Sequence, residues 1–220
     1  MIDFKETFEE LKDNIALYCV EGMDARALIF TADAAVHNNM SAVLCDLESV
    51  NMLWTWLEKS NVKIFARIIA DEFDSDIQKI TAAIHSAFKK GANGVHLIAT
   101  PEVHEKLVTL LAPISSDLFF NKELILSLYL KDVFPSDYSI IFQNIQKIGA
   151  TGLGLIIENS EDTSAEFYGI IDSDISDFQG SLHIVSRDFN PQIIENIWRI
   201  TKKMRPELIP STIFFIKNSI

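Results

Sequence analysis

Apolar residues in this chain come in two alternating textures. Some are short unbroken runs; others recur every three or four positions over longer stretches. Residues 3–14 set Phe4, Phe8 and Leu11 at helical spacing. Ile15-Ala16-Leu17-Tyr18-Cys19-Val20 is then a continuous apolar run halted by Glu21-Gly22, which predicts a first strand. Residues 25–39, rich in alanine and closed by Asn38-Asn39, predict a helix with an asparagine at its C-terminal cap. The alternation then repeats, with strands predicted over 42–47, 62–70, 94–99, 123–130, 153–158, 181–186 and 212–217. Between them, residues 49–60 read as a helix with Met52, Trp56 and Leu57 on one side. Asp74-Ser75-Asp76 offers N-caps for a helix ending at Lys89-Lys90-Gly91, and Thr100-Pro101 opens another. Further helices run from Pro135-Ser136 to Ile148-Gly149, weakly over 163–178, and from Asn190-Pro191 to Met204.

Strands that are apolar throughout, rather than alternating, belong to a parallel sheet covered by helices. No Pro/Gly/Ser-rich linker or composition break divides the chain, so residues 1–220 are expected to form one α/β domain. A repeat sharpens this. Asn39-Met40-Ser41-Ala42-Val43-Leu44, Gly91-Ala92-Asn93-Gly94-Val95-His96-Leu97 and Gly149-Ala150-Thr151-Gly152-Leu153-Gly154-Leu155 each release a helix and enter a strand through small residues. Gly91 and Gly149 lie 58 positions apart, the length of two βα units, and the strand at 212–217 follows one double unit later. Strands two, four, six and eight then become equivalent, as they are in a (βα)8 TIM-type barrel. An open doubly wound sheet, the alternative, has no reason to repeat in this way. With no eighth helix after the last strand, the N-terminal helix at 3–13 is expected to cover that gap.

At 48% hydrophobic and 23% charged residues, the chain can build a full core without disulfides or metal. Cys19 and Cys45 both sit in apolar runs and read as reduced, buried thiols. No run approaches the ~18 apolar residues of a membrane span, and Met1-Ile2-Asp3-Phe4-Lys5-Glu6 lacks the form of a signal peptide, so a cytoplasmic protein is expected. The formal net charge of −12 repels phosphate backbones and anionic lipid, which argues against nucleic acid and membrane as partners. It leaves room for a local basic pocket that takes a small anionic metabolite.

The pattern around Gly91-Ala92-Asn93-Gly94-Val95-His96-Leu97 resembles the phosphate-binding TIM barrels, in particular the short ribulose-phosphate-binding group. That group has decarboxylase-like (orotidine phosphate), thiamine-phosphate-synthase-like and aldolase-like members. The resemblance implies the barrel fold but not an activity. Where decarboxylase-like members carry Asp-x-Lys-x-x-Asp, this chain reads Arg67-Ile68-Ile69-Ala70-Asp71-Glu72. Where synthase-like members carry Gln-x-Arg-x-Lys, it reads Cys45-Asp46-Leu47-Glu48. Glycine-rich phosphate loops after strands seven and eight are also absent.

In βα barrels the loops that follow the strands converge, so chemistry is sought at the strands' C-terminal ends. The residues there are Glu21, Asp46 with Glu48, Arg67 with Asp71, Thr100, Lys131 with Asp132, Glu158 with Asn159, Arg187 with Asp188, and Lys217 with Asn218. Lys131 follows a long apolar strand; if partly desolvated, its pKa falls and it can act as a base or form a Schiff base. The bland reading is a solvated lysine paired with Asp132. Arg67, inside a strand, needs an anion, either Asp46, Glu158 or a ligand. Ser186 and Arg187, just before a helix start at Asn190-Pro191, form the best phosphate-site candidate. Lys131, Asp46 and Glu158 are thus the candidate catalytic residues, and Arg67, Ser186 and Arg187 the candidate anion binders.

Of the five histidines, His85 and His104 are expected on the outer helical layer, while His96 and His183 lie within strands, in core or lumen. No zinc spacing, dinucleotide fingerprint, Walker loop or nucleophile elbow occurs, and no resident cofactor or metal is expected. Asp46, Asp71 and Glu158 can hold magnesium together with a substrate, though nothing in their spacing requires it. Two functions fit: a lyase, aldolase or isomerase acting on a phosphorylated or carboxylated metabolite, or a barrel without catalysis that serves as a binding or partner protein. Trp54, Trp56 and Phe119-Phe120 look exposed. Trp54 and Trp56, two apart on a helix, cannot share a face, which suggests a homodimer contact through one of them.

Overall fold

Eight parallel strands close into a ring in sequence order, β1 pairing with both β2 and β8. The computed structural model describes residues 10–19, 22–74, 76–111, 121–173, 178, 180–188 and 190–217. The strands are β1 Ile15–Tyr18, β2 Ala42–Asp46, β3 Lys63–Ile69, β4 Gly94–Ile98, β5 Glu123–Tyr129, β6 Gly152–Ile157, β7 Ser181–Ser186 and β8 Thr212–Lys217. The α-helices among the described residues are α1 Ala25–His37, α2 Val50–Leu57, α3 Ile77–Lys89, α4 Pro101–Leu111, α5 Tyr138–Ile148, α6 Thr163–Asp172 and α7 Pro191–Met204. The closed barrel is therefore the architecture, and the open sheet is excluded. Residues 174–177, in the second half of the weak helix expected at 163–178, and residues 1–9, which include most of the stretch expected as a helix at 3–13, lie outside the described residues.

The turns explain why the double-unit repeat was readable. Asn39, Gly91 and Gly149, which leave α1, α3 and α5, all adopt positive φ, at 53°, 106° and 72°. Each is followed by a strand whose first residues are small because helix and sheet meet there. Helix starts follow their caps as well. Asp24, Asp76 and Asn190 accept hydrogen bonds from the first backbone N–H groups of α1, α3 and α7.

Alternation along each strand sends one set of side chains to the helices and the other to the lumen. Phe65, His96, His183 and Phe215 fill the middle of the lumen, with ring centroids 4.9–5.9 Å apart. His96 Nε2 and His183 Nδ1 share one proton across 2.9 Å, and Ser127 Oγ sits 3.1 Å from His96 Nδ1. Gly152 and Gly154 of β6 make this possible. A Cβ on Gly154 would lie 2.2 Å from Ser127 Oγ, so a side chain there would displace the serine that completes the chain. Both imidazoles are held neutral: burial pushes His96 down to about 3, and burial, with His96 beside it, pushes His183 well below its ordinary value. His104, expected on the outer layer, is instead fully buried in α4, and burial lowers it to about 4.

Two outcomes follow from this core. The unfolded chain takes up protons at its histidines near pH 6.5, while the folded chain does not, so stability is full above that pH and falls below it. Between pH 6.5 and 5, above the carboxylate range, the unfolding free energy from urea titration should drop by about 1 kcal/mol per pH unit for each such histidine, with the midpoint falling accordingly. Constant midpoints over that interval would contradict burial of neutral imidazoles. Separately, a Cβ on Gly94 would sit 2.4 Å from the Phe65 ring, which is boxed in by its neighbours. Gly94→Ala should therefore cost about 1–3 kcal/mol in chemical denaturation.

Candidate functional site

The lumen-facing set emerges at the C-terminal mouth as Tyr18, Asp46, Arg67, Ile98, Tyr129, Glu158, Arg187 and Lys217, one at the end of each strand in order. Arg67 organises them. Its Nε and Nη2 donate to Asp46 Oδ1 at 3.0 and 2.6 Å, and its Nη1 donates to the Tyr18 hydroxyl at 3.0 Å. The register places Asp46 directly beside Arg67 on the neighbouring strand, so the partner Arg67 requires is Asp46. Their side chains are only 10% and 19% exposed, which makes this a largely desolvated, doubly hydrogen-bonded pair.

Three adjoining spaces meet at this arginine. Beneath it, a void of about 10 Å³ is lined by Tyr18, Tyr129, His96 and Arg187 among others. On the β2–β3 side, a cleft of about 340 Å³ is bounded by Asp46, Glu48, Ser49, Glu72 and Phe73. Across the mouth lies the largest, about 590 Å³, lined by Tyr18, Arg67, Glu158, Asn159, Arg187, Asp188 and Lys217. Arg187 and Lys217, on the ends of the neighbouring strands β7 and β8, have no ion-pair partner among the described residues. Three cations, Arg67, Arg187 and Lys217, thus line one cavity against two carboxylates, Glu158 and Asp188, in a chain of net charge −12.

The expected residues divide on this geometry. Asp46, Arg67, Glu158 and Arg187 border the connected spaces. Lys131 does not show the lowered pKa that its apolar strand suggested. It lies half exposed in a short turn after β5, and Glu158 Oε1 sits 2.7 Å from its Nζ, which holds the ammonium above its ordinary value. Its partner is Glu158 rather than Asp132. Ser186 also departs from expectation. Alternation puts it on the helix side of β7, where it is buried, and its hydroxyl donates to the Asp188 carbonyl at 2.8 Å. That hydroxyl shapes the turn behind Arg187 and does not face the cavity. Glu21 and Asn218 lie outside the described residues.

Tyr18 was not anticipated, although its signal was legible as the lumen-parity residue ending β1. Its hydroxyl accepts from Arg67, which leaves its own proton to donate into the mouth, and burial raises its pKa. Cys19 and Cys45 are buried and free, with burial pushing Cys19 up to about 12 and Cys45 well up, so neither is a thiolate nucleophile. Among the described residues no group of three or more His, Cys, Asp or Glu side chains gathers as a metal site would need, and no helix is long and apolar enough to cross a membrane.

No protein-family model matches the sequence, and no curated protein matches it. Solved structures do match in shape. A protein assigned as a deoxyribose-phosphate aldolase from Toxoplasma gondii ME49 superposes with a TM-score of 0.75 at 12% identity, covering 97% of this chain and 92% of that one. The deoxyribose-phosphate aldolase of Aeropyrum pernix gives 0.69 at 10% identity, covering 98% and 92%. The N-acetylmannosamine-6-phosphate 2-epimerase of Clostridium perfringens gives 0.60 at 11%, covering 94% and 86%. Likeness at such identities shows a TIM-type barrel and no more.

The Arg67 pair and the Lys131 pair should respond differently to mutation. Arg67→Ala strands the half-buried Asp46 carboxylate and should cost about 2 kcal/mol in urea unfolding. Lys131→Ala, at an exposed ion pair, should leave the midpoint unchanged. An unaltered midpoint for Arg67→Ala would mean that Asp46 is solvated, not held.

Proposed function

We propose that the mouth binds a small phosphorylated or carboxylated metabolite and works on it as a lyase, aldolase or isomerase. The observation that carries this is the cavity of about 590 Å³ in which Arg187 and Lys217, which make no ion pair among the described residues, lie with Arg67 beside Tyr18, Glu158 and Asp188, so that cations outnumber carboxylates. In a chain this acidic, an unpaired basic spot inside a concave surface is best explained by an anionic ligand. The structural neighbours named for phosphate-bearing sugars support the same ligand class by fold analogy.

In this reading Arg187 and Lys217 hold the anionic group, a role extended from Arg187 to its neighbour and withdrawn from Ser186. Glu158, hydrogen-bonded to Lys131, removes a proton from the carbon beside a substrate carbonyl. Tyr18 and the Arg67 guanidinium donate hydrogen bonds to the oxygen as it gains negative charge. Return of that proton to the former carbonyl carbon, with the adjacent hydroxyl's proton passing to the old carbonyl oxygen, completes an isomerisation. In a lyase reaction Glu158 instead takes the proton of the hydroxyl on the next carbon, the carbon–carbon bond breaks to release an aldehyde, and the enolate left behind is then protonated. Asp46 holds Arg67 at that oxygen. Schiff-base chemistry at Lys131 is not part of the proposal, because an ammonium stabilised by a carboxylate is a poor nucleophile.

One observation favours the second reading, a barrel that binds without turnover: Asp46 and Glu158 are both already ion-paired. A thermal-shift series with sugar phosphates and short carboxylates tests the ligand class. A ligand at about 100 times its Kd should stabilise the protein by about 2.7 kcal/mol. Arg187→Ala and Lys217→Ala should each abolish that shift, and Glu158→Gln should keep it while losing turnover. Shifts that survive both cation substitutions would exclude this mouth as the site, and binding without turnover in the unaltered chain would select the second reading.

A further inference from the structure

Large hydrophobic side chains are not exposed evenly over this barrel. Of the seven exposed among the described residues, five lie on the neighbouring helices α1 and α2: Phe30, Val36, Met52, Trp54 and Trp56. The inner stripes of these helices are already used. α1 buries Leu28, Thr31, Ala32 and Ala35, and α2 buries Val50, Leu53 and Leu57. Contrary to the expected stripe, Met52 and Trp56 therefore point away from the core. Trp54 and Trp56 are both exposed, at 42% and 56%, as the sequence suggested, and being two residues apart they lie on different flanks of α2, Trp56 with Met52 and Trp54 away from them. Trp54 is steadied on one side, since its indole lies where a Cβ on Gly91 would come within 2.2 Å. Such a concentration of exposed aromatic area marks an interaction surface.

The charges on this face indicate what covers it. α2 carries no ionisable residue between Val50 and Leu57. On α1 the exposed stripe reads Arg26, Phe30, Asp33, His37. Arg26 lies over the Phe30 ring, 5.5 Å from its centroid. Arg26 and Asp33 are two helical turns apart, about 10 Å along the axis, with Phe30 near their midpoint. A stripe with one cation, a central aromatic ring and one anion is its own complement under a two-fold axis. When two copies of α1 run antiparallel, Arg26 of each meets Asp33 of the other, and the two Phe30 rings meet near the axis. Two chains of net charge −12 repel over most of their surfaces, so a face that is locally neutral and apolar is where they can approach.

We infer that this chain forms a two-fold homodimer through the outer faces of α1 and α2, with reciprocal Arg26–Asp33 pairs flanking Phe30. The inference is independent of the mouth and its chemistry. Both charged residues are exposed and neither belongs to the barrel core, so reversing either one leaves the fold intact, which circular dichroism checks.

Sedimentation velocity from about 1 to 100 µM tests it. The unaltered chain should dimerise within that range. Arg26→Asp and Asp33→Arg should each weaken the dimer about tenfold or more, because each sets like charges against one another twice. The doubly reversed chain should recover the dimer. Mixing the two singly reversed chains should give a heterodimer, since the mixture restores both pairs at once. Phe30→Asp should be monomeric. A chain that stays monomeric throughout would overturn the proposal, as would a dimer indifferent to single charge reversal.

Discussion

Closing eight parallel strands into a ring creates a lumen that must be filled, and the filling decides what the mouth can be. Here β6 contributes glycine at two lumen positions, Gly152 and Gly154, and the space is taken by Ser127, His96, His183, Phe65 and Phe215. Neutral imidazoles, linked to each other and to a hydroxyl, make a packed plug that carries polar atoms without charge. Because the plug is closed, ligands are confined to the layer above it, where Arg67 is set across the mouth by Asp46 and Tyr18.

That layer is also where the electrostatics change sign. The chain carries a net charge of −12, yet the main cavity is lined by three cations, Arg67, Arg187 and Lys217, against two carboxylates, Glu158 and Asp188. The paired charges set the geometry, and Arg187 and Lys217, which make no ion pair among the described residues, are the proposed anion binders. Glu158 lies between the two groups, bonded to Lys131 on its solvent side and lining the cavity on the other. In the proposed reading the anion binders and the proton-transferring carboxylate lie on adjacent strand ends, β6 through β8, and Tyr18 and Arg67 of β1 and β3 border the same cavity.

The fold was readable because its signals are local. Left-handed exits at Asn39, Gly91 and Gly149 and the apolar strands recur with the double unit, so a closed barrel follows from period alone. Strand ends also named most of the mouth, since alternation carries lumen parity to Asp46, Arg67, Glu158 and Arg187. What stayed hidden depended on neighbours distant in sequence. Lys131 meets Glu158 across 27 positions, and that contact reverses the direction of its pKa. Ser186 was misplaced by a single position of parity. His104 was assigned to the outer layer because helix periodicity alone does not reveal how deeply a helix face is covered, and Tyr18 was passed over as one more apolar residue in a strand.

The central claim is that Arg187 and Lys217 form one anion subsite at the ends of β7 and β8. A crystal structure of the protein grown with inorganic phosphate tests it most directly. The account predicts a phosphate within hydrogen-bond distance of both side chains, displaced competitively by phosphorylated metabolites in solution. Phosphate held elsewhere on the barrel, with both cations turned out to solvent, would contradict it.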